Sequence, residues 1–330
     1  VARRTWRYFS DFVSEETSWL PPDNYQVFHQ DRLAMRTSPT NIGLWMLSVV
    51  TAQEFGYLTV DQVVDKLSHT METIAKLERH EGHLLNWYDI ETLTPLEPRY
   101  VSTVDSGNLL GALWTLDQGL ERLVGRPVLD GKVFDGLRDT GNTLKEVAET
   151  EGFAGFDAQA LDELLQAWES PPERIADSFK LLRRTKDIAA ALGNEGRESA
   201  GADTQALYWA RQVQGQASAW LTIADRYLAW VEILDEKSED ELAGLGPDAL
   251  ISFRHDLRHA PSLLDLADGN VDFIETLQAL HGEDHPAAGS LLEWRSRLLR
   301  MFEKSKWLAG EELGLEKRLL GNVRELSEST

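Results

Sequence analysis

The residues of this chain best suited to handling a ligand are concentrated in two stretches, RTSPTNIGLW at 36–45 and GHLLNWYDIETLTPLEPRYVSTVDSGNL at 82–109. Trp87, Tyr88 and Asp89 set two aromatic planes beside a carboxylate, and Tyr100, Ser102, Asp105, Ser106 and Asn108 add hydroxyl, carboxylate and amide groups. Arg36, Ser38 and Asn41 contribute a cation and two further polar groups from the first stretch. Sugar recognition needs this mixture. An aromatic face covers the apolar C–H side of a pyranose, while Asp, Asn and Arg make paired hydrogen bonds to adjacent hydroxyls. On this reading Arg36, Asp89 and Asp105 hold hydroxyls, and Trp87, Tyr88 and Tyr100 supply stacking surfaces. Ser38, Asn41, Ser102, Ser106 and Asn108 hydrogen-bond the ligand or position the loops. Plainer roles compete residue by residue: Asp105 or Ser106 as a helix cap, Trp87 as a plug at a hairpin end, Arg36 as the ion-pair partner of Asp89. Polar density on loops favours function over packing for the set as a whole.

Other chemistries find no support. The chain has no GxxxxGK[ST] phosphate loop, no GxGxxG after a strand and no GxSxG elbow. His80, Glu81 and His83 lie in HEGH, which lacks the i, i+4 pairing of a zinc helix, and His255/His259 and His281/His285 have that spacing without an evident third ligand. No metal and no cofactor are expected.

These residues must be placed by helices, because period 3.6 dominates the chain. Ile42, Trp45, Met46, Val49 and Ala52 form a stripe opened by Ser38-Pro39 and stopped by Gly56. Val60, Val63, Leu67, Met71 and Ile74 form a second, opened by Thr59 and Gln62 in a capping-box pattern and running to about Arg79. A third helix is predicted from Asp105 or Ser106, burying Leu109, Leu113, Leu116 and Leu120 before Gly125 and Pro127. The two polar stretches thus flank a helical hairpin, and the segment between Arg79 and Asp105 reads as a functional loop. Later stripes fall at Leu161, Leu164, Leu165 and Trp168, then at Ile175, Phe179 and Leu182 behind Pro171-Pro172. Residues 193–203 have linker composition, and a long helix from about Thr204 carries Leu207, Val213, Trp220, Ile223, Tyr227, Trp230 and Leu234. After a break at 244–247, helices recur near 247–259, 271–281, 287–309 and 311–326. No strand alternation is convincing, so the fold class is all-α. Residues 1–129 carry the polar constellation, whereas 130–330 show ordinary Leu and Ala stripes and read as scaffold or helical insertion.

Composition narrows the partners. A formal charge of -22 over 330 residues disfavours nucleic acid and anionic membrane surfaces, which reward Lys and Arg, and leaves a neutral, hydroxyl-rich ligand compatible. Zero Cys removes disulfides and thiolate metal sites. No apolar run approaches the ~18 residues of a membrane span, so no direct membrane insertion is expected. The opening Val1-Ala2-Arg3-Arg4 and the polar close Glu328-Ser329-Thr330 lead to the expectation of a piece cut from a longer polypeptide.

The strings RRTWRYF (3–9), WLPPDNYQ (19–26), RTSPTNIGLWMLS (36–48), FGYLT (55–59), GHLLNWYD (82–89) and YVSTVDSGNL (100–109) closely resemble the middle, glycoamylase-like region of cyclic β-1,2-glucan synthases. The resemblance is strong from Arg3 to about Leu120 and beyond that rests on helical character. It implies a long inner-membrane enzyme, this part on the cytoplasmic side, in which an (α/α)6 toroid closes linear β-1,2-glucan into a ring by transglycosylation. The implied partners are a β-1,2-glucan chain and the neighbouring modules of the parent. Retaining transfer needs two carboxyl groups ~5 Å apart, and in the family those glutamates lie in the C-terminal half of the domain, without counterpart here. The expectation is therefore an incomplete toroid with a helical insertion, holding one wall of the sugar cleft and inactive alone. If only this half existed, Asp89 and Asp105 would be the first carboxylates to test as catalysts. A non-catalytic helical domain that binds glucan or positions modules, and a β-glucan hydrolase of related fold, stand as alternatives.

Overall fold

A computed structural model describes residues 1–27, 32–151, 157–200, 204–279 and 288–330, with backbone alone at 194–200 and 288–290. The elements begin with α1 (Ala2–Phe12), β1 (Tyr25–Gln26), β2 (Arg32–Leu33), β3 (Arg36–Thr37), α2 (Pro39–Glu54) and α3 (Val60–Ile74). Next come β4 (Arg79–His80), β5 (His83–Leu84), β6 (Tyr88–Asp89), α4 (Thr103–Leu123), α5 (Lys132–Glu151), α6 (Ala158–Glu169), α7 (Ile175–Ala200) and α8 (Gln205–Tyr227). The chain closes with α9 (Ala229–Leu234), α10 (Glu239–Leu242), α11 (Pro247–Asp256), α12 (Leu263–Asp268), α13 (Asp272–Ala279) and α14 (Ala288–Ser329). The fold is all-α. Its described strands are two-residue antiparallel pairs, β1–β2, β3–β6 and β4–β5, that pin loops rather than form a layer. Two compact units result: 1–54 with 60–123 and 314–330, and 55–59 with 124–313.

In the first unit the apolar stripes have the expected partners. Ile42, Trp45, Met46, Val49 and Ala52 of α2 are all buried, as are Val60, Val63, Leu67, Met71 and Ile74 of α3. Trp45 stacks on Trp6 of α1 at 5.9 Å, and its Nε1 donates to Thr70 Oγ1 at 2.9 Å, so a buried indole N–H is satisfied across α2 and α3. Helices α2 and α4 run in the same direction side by side: a Cβ on Gly43 would lie 2.9 Å from Ala112 Cβ, and one on Gly119 would lie 3.1 Å from Val50. Their N-terminal ends therefore sit together. The last turns of α14 return to this unit, where Arg324 pairs with Asp117 and Glu121. The β4–β5 turn at Gly82 (φ 89°) comes so close to Ser329 that a Cβ there would be 2.0 Å from its carbonyl oxygen.

Several boundaries differ from expectation for local reasons. Helix α3 stops at Ile74, short of Arg79, because Arg79 and His80 enter the β4–β5 hairpin. Helix α4 starts at Thr103, upstream of Asp105, because Ser102 is the cap: its Oγ accepts from Asp105 N at 3.2 Å. Asp105 and Ser106 are thus first-turn residues and not caps. In the second unit, α7 continues through 193–200, where a linker was expected, and 201–203 lie outside the described residues. Trp230 and Leu234 belong to a separate helix, α9, and α14 passes without a break through Gly310, where two helices were expected. Of the first later stripe Leu161, Leu164 and Trp168 are buried and Leu165 is half-buried, and Ile175, Phe179 and Leu182 are buried as read. Helices α1, α5, α10 and α12 were not anticipated.

Candidate functional site

The polar residues singled out in the sequence all fall in the first unit, around the adjoining N-terminal ends of α2 and α4 and the β3–β6 pair. The first turn of α2 organises them. Ser38 caps the helix, its Oγ accepting from Asn41 N at 3.2 Å. Thr40 then reaches one way, donating to Asp105 Oδ1 and accepting from Asn108 Nδ2 at 3.1 Å. Asn41 reaches the other, its Nδ2 donating to Asp23 Oδ1 at 3.2 Å. Asp105 also benefits from its place in the first turn of α4, where the helix dipole favours a carboxylate.

Asp23 is the hub of the second cluster. Its Oδ2 accepts from Arg36 Nη2 at 3.0 Å and Nε at 3.3 Å and from Asn24 Nδ2 at 2.9 Å. The Arg36 guanidinium lies over the partly buried Trp87 ring, 4.6 Å from its centroid. The alternative partner for Arg36 is thereby corrected: Arg36 and Asp89 are opposite each other in the β3–β6 backbone register, but the side-chain ion pair goes to Asp23. Tyr8 closes this side; its hydroxyl donates to Pro22 O at 2.7 Å, and burial together with the Asp23 charge pushes its pKa up to about 12.

Four of the named residues are held by structural bonds. Tyr88 is fully buried, so its ring faces the core and presents no stacking surface, which corrects its expected role. Its hydroxyl donates to Glu78 O at 2.6 Å and accepts from Leu85 N at 2.7 Å, and burial raises its pKa. Asp89 uses Oδ1 to accept from Thr92 N at 2.8 Å, Thr92 Oγ1 at 2.9 Å and Glu91 N at 3.1 Å. The bond from Thr92 N leads in lowering its pKa, which keeps it ionised and unsuited to donate a proton at neutral pH. Ser106 is buried against His83, with Oγ and Nδ1 at 3.2 Å. Ser102 is the α4 cap. Tyr100, by contrast, is half-exposed at 50%, and its carbonyl accepts from Asn86 N at 2.9 Å.

Arg36, Asn41 and Trp87 thus gather around Asp23, while Asp105 and Asn108 gather around Thr40, and Thr40 and Asn41 are neighbours in one helical turn. Sequence reasoning passed over Asp23 and Thr40, and weighed His83 as a metal ligand alone. Asp23-Asn24 directly after Pro21-Pro22 is a turn signature that puts a carboxylate on a loop, and was the available signal. Among the described residues no group of three or more His, Asp or Glu is placed to hold a metal ion. His255 and His259 stack ring on ring at 4.6 Å, and the His281/His285 pair lies outside the described residues. No described helix is long and apolar enough to cross a membrane.

No family model matches the chain. Over 148 residues, 44% of its length, the chain is 46% identical to the cyclic β-(1,2)-glucan synthase NdvB of Rhizobium meliloti (strain 1021), a similarity that makes the two related across that stretch. The matched stretch covers 5% of the length of that relative.

Proposed function

We propose that this chain, related to a cyclic β-(1,2)-glucan synthase, is a part of such an enzyme and supplies a sugar-binding wall to the region that closes linear β-1,2-glucan by transglycosylation. The observation that carries the reading is the Asp23, Arg36, Asn41 and Trp87 cluster beside the Thr40, Asp105 and Asn108 cluster. A partly accessible aromatic ring stands next to charged and amide groups at the joined ends of two helices, the mixture that a pyranose with many hydroxyls requires. The same-sense packing of α2 and α4, with α3 connecting them, supports an (α/α) toroid, in which alternate helices run alike and loops converge at one end. Residues 1–129 would then form the cleft side and 130–330 the scaffold or insertion. The parent would present this region on the cytoplasmic side of the inner membrane, beside its other modules.

The catalytic pair is assigned outside these residues. Asp89 is committed to its own loop through the bonds on Oδ1, and Asp105 is bonded to Thr40. The chain alone should therefore bind linear β-1,2-glucan and leave it unchanged. Calorimetric titration and product analysis by mass spectrometry test both halves: a flat titration would remove the sugar-wall reading, and rings or shortened chains would overturn the placement of the catalytic carboxylates.

A further inference from the structure

We infer that Asp23 is the specificity-determining residue of this sugar wall: by neutralising Arg36 above Trp87 it makes the platform accept neutral hydroxyl ligands and refuse anions. This deepens the proposed function and rests on it.

An arginine over an aromatic ring, 49% exposed at its side chain, is in isolation an anion-binding element, since its planar fork matches phosphate and carboxylate oxygens. Here the fork is already answered. Nε and Nη2 of Arg36 both point to Asp23 Oδ2, at 3.3 and 3.0 Å, so the side-on edge, one of the two through which a guanidinium binds an anion in bidentate fashion, is occupied. The carboxylate is in turn fixed on three sides, by Arg36, by Asn24 and by Asn41 from the first turn of α2, and its side chain is only 18% exposed. An arriving anion would have to displace a preorganised carboxylate and would meet its negative charge. A neutral diol meets no such penalty. The remaining Arg36 nitrogen, Nη1, makes no hydrogen bond among the described residues and stays available to a hydroxyl oxygen. Asp23 also sets the geometry, because without it neither the guanidinium over Trp87 nor the Asn41 amide has its present anchor.

The test uses the full 330-residue chain, wild type, Asp23→Asn and Asp23→Asn/Arg36→Gln, titrated calorimetrically with linear β-1,2-glucan and separately with inorganic phosphate at low and high salt. Melting curves accompany each protein. The wild type should bind glucan and not phosphate. Asp23→Asn, nearly the same shape without the charge, should lose about tenfold in glucan affinity from the weakened anchor and gain phosphate binding that salt abolishes. The added Arg36→Gln change should remove that gain. A folded Asp23→Asn chain that binds glucan like the wild type, or that gains no phosphate binding, overturns the inference and leaves the sugar-wall reading intact. Phosphate binding by the wild-type chain that competes with glucan overturns it without reference to any variant, which covers the case of a variant that fails to fold. A wild-type chain that binds no glucan removes the functional reading itself.

Discussion

Trp87 and Tyr88 are adjacent in sequence and differ in environment: Trp87 is the last residue before β6 and is partly buried, while Tyr88 opens the strand and is fully buried. Tyr88 in β6 goes inward, where its hydroxyl ties Glu78 O to Leu85 N, and Trp87 is left partly accessible beneath Arg36. Substitutions should separate them. Tyr88→Phe strands the buried Leu85 N–H and should cost about 1–3 kcal/mol of stability, read by chemical denaturation, with glucan affinity of the folded protein, on the sugar-wall proposal, unchanged; a loss of affinity at full folding would return Tyr88 to the site. Trp87→Ala should weaken glucan binding several-fold to about tenfold, the range of an aromatic contact, with little change in melting; unchanged affinity would make Trp87 a packing residue. Asp89 gives a pH prediction. Its folded pKa lies below its ordinary value of 3.8, so its loop bonds stabilise fully above that value and are lost as pH falls through the lower folded one. Asp89→Asn should therefore flatten the acid limb of the melting-temperature curve below about pH 4, and an identical limb in both proteins would show that the loop does not report on folding.

At the scale of elements, the site exists because two helices begin side by side. Gly43 allows this: any Cβ there meets Ala112 Cβ at 2.9 Å, closer than side-chain carbons approach. Gly43→Ala should push α2 from α4 and cost about 1–3 kcal/mol. It should also lengthen the Thr40–Asp105 link, so glucan affinity falls with stability; a variant as stable as the wild type would mean that the pair has slack. The sequence pattern marked α2 well, since stripe, start and stop agreed, and it marked the stripe and start of α3 while overrunning its end at Ile74. It misplaced the start of α4 because Ser102, Asp105 and Ser106 are all good capping residues, and only the observed bond from Asp105 N to Ser102 Oγ chooses among them. It placed a linker at 193–203 from composition, yet α7 runs to Ala200.

For the whole molecule the dominant quantity is charge. With 55 acidic and 33 basic residues the chain repels itself, and raising ionic strength from about 0.01 to 0.15 M shortens the screening length from about 30 to about 8 Å. The melting temperature should rise over that range; a fall would show that the surface ion pairs outweigh the repulsion. The helical class, the main apolar stripes and the location of the polar residues were all legible in the sequence, because period and residue type are local properties. The resemblance to glucan synthases was legible for the same reason, as short strings of near-identical residues. Partnership was not. That Asp23 and not Asp89 answers Arg36, that Tyr88 is core and Trp87 surface, and that Thr40 joins Asp105 and Asn108 depend on which segments the tertiary structure brings within hydrogen-bonding distance. Arg36 and Asp89 are opposite in β-register, yet side-chain direction sends the guanidinium to a loop 13 residues earlier. A sequence determines which groups are present and on which helical face, and only packing decides which of them meet.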